Sequence, residues 1–138
     1  MDFLDKFFSA LPLFLISFYF LKAFTDLNSY KIVKFLLFGA VFSSLLKLLI
    51  RKKRRQKSFV FIPWQASDKL RKLNISYGFP SSHTVFYASY FFIKPSCVTV
   101  ILLLLGTFFR IFYQHHTRYE VLCSILVTAM LYKIYNLR

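Results

Sequence analysis

Residues 77–93 read YGFPSSHTVFYASYFFI, a short polar segment followed at once by an apolar, aromatic helix pattern. The polar segment places Pro80, Ser81, Ser82 and His83 at the start of that helix. Proline suits the first helical turn. The free N–H groups and the dipole of a helix start favour an anion, typically a phosphate. The stretch therefore predicts an anion-binding helix start or, as the alternative, an ordinary N-cap followed by a buried histidine.

The composition around this stretch is that of a membrane protein. The chain has 138 residues, 57% of them hydrophobic, whereas soluble domains have roughly 45–50%. A helix needs about 20 apolar residues to cross a bilayer. We therefore predict an all-α fold, a single domain over residues 1–138 that forms an integral membrane bundle of about five transmembrane helices. The predicted spans are residues 7–24, 31–50, 82–94, 97–113 and 121–137, of which the third is shorter than a full crossing.

Five crossings have a consequence for the polar segments between the spans. The end of the second span, the start of the third and the junction of the fourth and fifth emerge on the same membrane face. The topology therefore predicts that three polar clusters, distant in sequence, meet in one site at the membrane surface.

The first cluster ends the second span. Lys47 and Arg54 are seven residues apart and so lie on one helix face. Alternatively, Lys47 extends its ammonium group to the interface, as lysines near helix ends do. The basic run RKKRRQK, residues 51–57, also fits a solvated patch or one that binds anionic lipid headgroups.

The third cluster is RIFYQHHTRYE, residues 110–120. His116 and Glu120 are four residues apart and share a helix face. A carboxylate on one imidazole nitrogen makes the other a better nucleophile, and the Arg110 guanidinium suits phosphate oxygens. His115 is interpreted as a bystander. The alternative is a polar loop with an ordinary His–Glu pair.

Together the clusters supply what phosphoryl transfer needs: cations, a nucleophile and a proton donor. Acidic residues are few, so we predict no metal and no cofactor. The net charge of +14 requires an anionic partner. Nucleic acid is excluded because the basic run adjoins a span and lacks interleaved aromatic residues. A lipid phosphate and the bilayer itself remain as partners.

The three clusters, in order, resemble the motifs of the type 2 phosphatidic acid phosphatase superfamily of membrane lipid phosphatases. The shared spacing is Lys-x6-Arg, then Pro-Ser-x-His, then Arg-x5-His-x3-acid, and it covers roughly residues 45–125. YGFPSSHT and RIFYQHHTRYEVL are most similar to the dolichyldiphosphatase branch. The chain departs from the superfamily pattern at three positions. It has Arg55 where the superfamily has proline, Phe109 where it often has serine, and Glu120 where it has aspartate or, in this branch, glutamine.

The resemblance implies an activity and a role for each motif residue. His116 would attack phosphorus and form a phosphohistidine, His83 would protonate the leaving group, and Glu120 would orient His116. The implied phosphate-binding residues are Lys47, Arg54, Ser81, Ser82 and Arg110. The implied reaction is hydrolysis of dolichyl diphosphate, a polyprenyl diphosphate, to the monophosphate. This reaction recycles the lipid carrier of protein N-glycosylation at the lumenal side of the endoplasmic reticulum membrane.

Three alternatives follow from the same residues. The substrate could be another lipid phosphate, such as phosphatidate or a sphingoid phosphate. The chain could also be a non-catalytic membrane protein whose basic patch binds anionic lipid. The side of the membrane on which the site lies has two opposed indications. Most lysines and arginines fall on the predicted site face. The positive-inside rule would place that face in the cytosol, whereas the resemblance places it in the lumen.

Overall fold

The computed structural model describes residues 3–53 and 77–137. Within these ranges the chain forms five α-helices, and an isolated bridge between Lys53 and Tyr77 is the one extended pairing. The prediction of an all-α fold is confirmed. The helices are α1 (Phe3–Lys22), α2 (Leu27–Ile50), α3 (Ser82–Ile93), α4 (Cys97–Phe112) and α5 (Arg118–Asn136).

Side-chain caps set the helix starts. Asp26 begins α2 by accepting hydrogen bonds from the N–H groups of Asn28 and Ser29. Ser96 and Thr117 begin α4 and α5 in reciprocal capping boxes. Each cap satisfies donors that a helix start leaves unpaired. Short turns follow α1, α3 and α4.

The short helix α3 is the centre of the bundle. Seven consecutive residues, Thr84 to Tyr90, are buried. The helix packs against each of the other four helices, most extensively against α5, α2 and α4. A helix that is apolar on all sides is expected where neighbours surround it completely. The apolar run that follows the polar segment therefore forms the core of the fold.

A hydrogen bond through Tyr87 fixes α1 against α3. Pro12 lies inside α1 and has no N–H group to donate to the carbonyl oxygen of Phe8, four residues earlier. The Tyr87 hydroxyl donates to that oxygen over 2.7 Å. The Tyr87 ring in turn lies directly over Gly106 of α4, where a Cβ atom would overlap it. Three helices are thus held in register by one side chain.

We expect Gly106→Ala to destabilise the protein by about 1–3 kcal/mol, the usual cost of overpacking a core. The added methyl group would meet the ring of Tyr87, which is held at both ends and so cannot move cheaply. The matched control is Gly39→Ala, whose Cβ would lie 2.9 Å from the rotatable Ser89 hydroxyl. Thermal unfolding in detergent measures both. A control that loses as much stability as Gly106→Ala would contradict this explanation.

The prediction of five transmembrane spans is not supported. Among the described residues only α1 and α2 are long and apolar enough to cross a membrane, with mean hydropathies of 1.5 and 2.0. The helix α3 has 12 residues and so reaches only about 18 Å. The helix α4, with 16 residues, is apolar but short. The predicted third span is not supported, because its apolar residues are buried against neighbouring helices.

The outer faces of the bundle nevertheless carry many large apolar side chains. They occur on α4 and α5 as well as on α1 and α2. Exposed apolar surface of this extent is typical of contact with lipid or with another protein. Representative residues more than half exposed are Phe14, Phe18, Val41, Leu49, Leu104, Phe108, Leu126 and Met130.

Candidate functional site

One end of the bundle collects polar side chains from all five helices. The Nζ atom of Lys47 lies 2.6 Å from Ser82 Oγ and so joins the end of α2 to the start of α3. The Nη2 atom of Arg110 lies 2.9 Å from Asp5 Oδ1, joining the end of α4 to the start of α1. The ion pair between Lys52 Nζ and Glu120 Oε1, 2.8 Å apart, places the start of α5 at the same end. The structure therefore brings together the three polar clusters of the sequence.

Lys47 does not extend to water, as the alternative interpretation required. Its side chain is 1% exposed, and its ammonium group donates to Ser82 Oγ. Ser43, one turn earlier on the same face of α2, lies 3.0 Å from the same Ser82 oxygen. A buried ammonium group is costly unless polar groups surround it. This arrangement holds a positive charge beside the start of α3, where an anion is already favoured.

The two serines at that helix start have different roles. Ser81 is fully buried and caps α3, since its hydroxyl accepts from the N–H and the hydroxyl of Thr84. Its own N–H donates to Ser124 Oγ over 3.0 Å. Ser81 thus shows the contacts of an N-cap, the alternative stated above for this segment. Ser82, which is only partly buried, faces the Lys47 ammonium group.

His83 contacts the backbone of α1. Its Nε2 atom lies 3.2 Å from the carbonyl oxygen of Ser9. Because a carbonyl oxygen can only accept, Nε2 carries a proton, and Nδ1 is the nitrogen that can exchange one. Burial and the nearby Arg110, His116 and Lys47 lower the pKa of the His83 imidazole, whereas its contact with the Ser9 carbonyl oxygen raises it. His83 therefore lies among the cations of the other two clusters.

Arg110 is buried, with 2% of its surface exposed. Its Nη2 atom donates to Ser9 Oγ over 2.7 Å, to Asp5 Oδ1 over 2.9 Å and to the Asp5 carbonyl oxygen over 3.3 Å. Its Nε atom is also buried, but no hydrogen-bond partner for it exists among residues 3–53 and 77–137. A buried donor without a partner costs about 1–3 kcal/mol. The Nε–H group is consequently suited to an anionic ligand.

His116 is oriented by the loop before α5 and by Glu120. Its backbone N–H donates to the carbonyl oxygen of Arg110 over 3.1 Å, while Gln114 turns the chain in a left-handed conformation with φ 55°. The His116 Nδ1 atom lies 3.5 Å from Glu120 Oε2. Glu120 also contacts Lys52 Nζ over 2.8 Å and accepts from the N–H of Thr117. An imidazole with Nδ1 directed at a carboxylate has Nε2 as its nucleophilic nitrogen.

The pKa of the Glu120 carboxyl is lowered well below its usual range. The interaction with the His116 imidazole is the main cause, followed by Lys52 and the Thr117 N–H, and burial opposes it. A lowered pKa means that the ionised form stabilises the folded protein above the unfolded value. That stabilisation is lost as the pH falls from about 4.3 toward the folded value. Glu120 is therefore ionised at neutral pH and can hold His116 in one tautomer.

We expect Glu120→Gln to lower turnover about tenfold, a mild loss for an orienting partner. The amide keeps an oxygen for the Nδ1–H of His116 but loses the charge. Phosphate release per folded molecule measures the effect. Below pH 4.3, the stability of the variant should also fall less steeply with pH than that of the wild type. Tyr119→Phe, at an exposed neighbouring position, is the control. A loss as deep as that of a missing nucleophile would contradict the orienting role.

The sequence analysis missed several residues that the structure places at this end. His115, interpreted as a bystander, has its Nε2 atom 3.0 Å from Asp5 Oδ2. Asp5 and Ser9 are four residues apart in α1, so they form a polar stripe on an otherwise apolar helix. Polar residues inside an apolar helix usually face the interior, and that signal could have identified them. The other missed residues are Ser43, Lys52 and Ser124.

Two further predictions concern Arg54 and a metal ion. Arg54, predicted to bind phosphate, lies outside the described residues, as does most of the basic run. In the described part of the chain, no group of three His, Cys, Asp or Glu residues could hold a metal ion. The site as described therefore consists of imidazoles, hydroxyls, two carboxylates and buried cations.

Comparison with known proteins gave no relative for this arrangement. No family model matches the chain, and neither the curated proteins nor the solved structures contain a match. The function must therefore be inferred from the residues of the site and their geometry.

Proposed function

We propose that the chain is a metal-independent lipid pyrophosphate phosphatase. It hydrolyses a polyprenyl diphosphate, such as dolichyl diphosphate, to the monophosphate through a phosphohistidine on His116. The observation that supports this proposal best is the convergence of His83, His116, Lys47 and Arg110 at one end of the bundle. The motif resemblance supplies the reaction type.

The charges of the site suit a phosphate group. Lys47 and Arg110 are buried, while Lys52 reaches the site from its rim through Glu120. Buried cations with N–H groups at a helix start stabilise the charge that spreads over phosphoryl oxygens in the transition state. The Nε–H of Arg110, which has no partner among the described residues, and the hydroxyl of Ser82 are the donors best placed to bind those oxygens.

The chemistry proceeds in two displacements. The Nε2 atom of His116 attacks the terminal phosphorus, and the bond to the bridging oxygen breaks. The leaving lipid monophosphate takes the Nδ1 proton of the His83 imidazolium, a form that the negative charge of the bound diphosphate favours, and His116 carries the phosphoryl group. In the second step a water molecule gives a proton to His83 and attacks the phosphohistidine. Inorganic phosphate leaves, and both histidines return to their starting states.

The apolar exterior supports a membrane location for this reaction. Two helices have the length and composition of spans, and α4 and α5 also expose large apolar side chains. The polar end of the bundle would then lie at the headgroup level, where the diphosphate of a polyprenyl lipid is found. We propose the endoplasmic reticulum membrane with a lumenal site, on the strength of the resemblance to lipid carrier phosphatases.

A phosphate-release assay on the purified protein in detergent tests this function. Dolichyl diphosphate, undecaprenyl diphosphate and phosphatidate are compared side by side, with and without EDTA. We expect release from the diphosphates that EDTA does not change. Preferential release from phosphatidate would move the proposal to another lipid phosphate. Release no greater than that of a His83→Ala/His116→Ala double variant would favour a non-catalytic lipid-binding protein and end the enzyme proposal.

A further inference from the structure

We propose that Asp5 and Ser9 of α1 are positioning residues, which hold Arg110 and His83 in the geometry needed for phosphoryl transfer. This inference rests on the proposed function and adds to it a helix that carries none of the three motifs. The contacts join residues more than 70 positions apart in the chain.

The contacts of Arg110 are distributed unevenly over its guanidinium group. The hydrogen bonds to Asp5 and Ser9 all involve Nη2. The neighbouring Nε atom, whose N–H lies on the same edge of the guanidinium group as Nη2, is buried and has no partner in the described ranges. A planar guanidinium group that is held at Nη2 directs its Nε–H along a defined line, and an N–H of this kind suits a phosphate oxygen. Asp5 and Ser9 thus determine where the Nε–H points.

Ser9 acts on both Arg110 and His83. Its hydroxyl accepts from Arg110 Nη2 over 2.7 Å, and its carbonyl oxygen lies 3.2 Å from His83 Nε2. One residue of α1 therefore relates a phosphate-binding cation to the proposed proton donor. Productive geometry at a reacting centre tolerates errors of well under 1 Å, so this link has a direct effect on the reaction.

The position of α1 is itself well determined. The Tyr87 hydroxyl holds the Phe8 carbonyl oxygen that Pro12 leaves without a helical partner. The ring of Phe8 packs on Phe109, with centroids 4.8 Å apart, directly beside Arg110. These contacts fix the axial position of α1. Asp5 and Ser9, on either side of Phe8 along the helix, are therefore placed reproducibly.

Asp5 also contacts the loop that carries the proposed nucleophile. Its carboxylate accepts from Arg110 at Oδ1 and lies 3.0 Å from His115 Nε2 at Oδ2. His115 directly precedes His116. The carboxylate is 1% exposed, and a buried charge of this kind is retained only with strong partners. Loss of the Asp5 charge would therefore loosen Arg110 and the loop together.

The first test compares Asp5→Asn with Asp26→Asn, which removes a carboxylate from the cap of α2 at the opposite end. We expect Asp5→Asn to lower kcat about 10–100-fold with KM changed less than about threefold, since charge-assisted hydrogen bonds are roughly twice as strong as neutral ones. Asp26→Asn should leave kcat unchanged. Ser9→Ala, with Ser44→Ala as its control, gives a second comparison if Asp5→Asn folds poorly. An unchanged kcat in both α1 variants would overturn the inference.

A double-mutant cycle separates positioning from a purely structural role. If Asp5 acts through Arg110, Asp5→Asn should lower kcat less than about threefold in an Arg110→Lys background, because the effects of coupled residues are not additive. Fully additive losses would overturn the inference. A structural role alone would reduce the folded fraction while leaving kcat per folded molecule unchanged.

Orthovanadate, a pentacoordinate mimic of the phosphoryl transition state, gives a readout that needs no turnover. We expect it to raise the Tm of the wild type and of Asp26→Asn, and to raise that of Asp5→Asn much less. We expect these Tm shifts even if the wild type hydrolyses none of the lipids. Such a lack of hydrolysis would contradict the proposed function but not the positioning role. No rise in the wild type, or equal rises in all three proteins, would overturn the positioning role.

Discussion

His116→Ala abolishes turnover in our account, with a loss of at least about 10⁴-fold, as when a covalent nucleophile is removed. The methyl group cannot form a bond to phosphorus, and the Nδ1 contact with Glu120 is lost with the ring. Phosphate release from dolichyl diphosphate by the purified protein measures the loss. Because His116 is 5% exposed, thermal unfolding must show that the variant is folded.

The matched control for this variant is His115→Ala. It removes an adjacent imidazole from the same loop, one that contacts Asp5. We expect it to retain turnover within about tenfold of the wild type, the scale of a lost supporting contact. Full activity in His116→Ala would remove the nucleophile assignment. Equal losses in the two variants would show that the loop matters only as a whole.

His83→Ala should produce the second largest effect, and its size should depend on the leaving group. A lipid monophosphate leaves with a pKa near 6 and needs little protonation, whereas the alkoxide released from phosphatidate needs a proton. General acid catalysis contributes about 10²–10⁴-fold. We therefore expect His83→Ala to lower the rate of the first displacement steeply for phosphatidate and less for a diphosphate.

Single-turnover kinetics with the two substrates measure this difference. The comparison is internal to one variant, so any loss of folded protein cancels. A second variant, His83→Asn, keeps a donor that can bind the Ser9 carbonyl oxygen but cannot transfer a proton, and it should behave like His83→Ala. Equal losses on both leaving groups would indicate that His83 only supports the structure and is not the acid.

The convergence of the polar clusters could be predicted from the sequence because it depends only on helix order. Alternating helices necessarily bring the end of α2, the start of α3 and the end of α4 to one side. The contact between Lys47 and Ser82 and the proximity of His83 to Arg110 follow from that alternation. The predictions of a shared helix face within a cluster were wrong, because α2 ends at Ile50, before Arg54, and α5 begins at Arg118, after His116.

The burial of α3 could not be predicted in the same way. An apolar, aromatic run has the same sequence pattern whether lipid or other helices surround it, so the pattern alone predicts a span for the run beginning at Ser82. The role of Asp5 was hidden for a different reason. Its partner Arg110 lies 105 positions away, and no local pattern specifies such a pairing. The capping role of Ser81 was an open alternative that only its contacts with Thr84 and Ser124 could decide.

The central claim is that His83 and His116 act on the same phosphorus atom. Its most direct test uses dolichyl diphosphate labelled in the terminal phosphate, an alkaline quench and peptide mapping of the labelled protein. We predict one alkali-stable, acid-labile phosphate on His116, which is transient in the wild type and accumulates in His83→Ala because water is no longer activated. Label on any other residue, or no label in either protein despite phosphate release, would contradict the account.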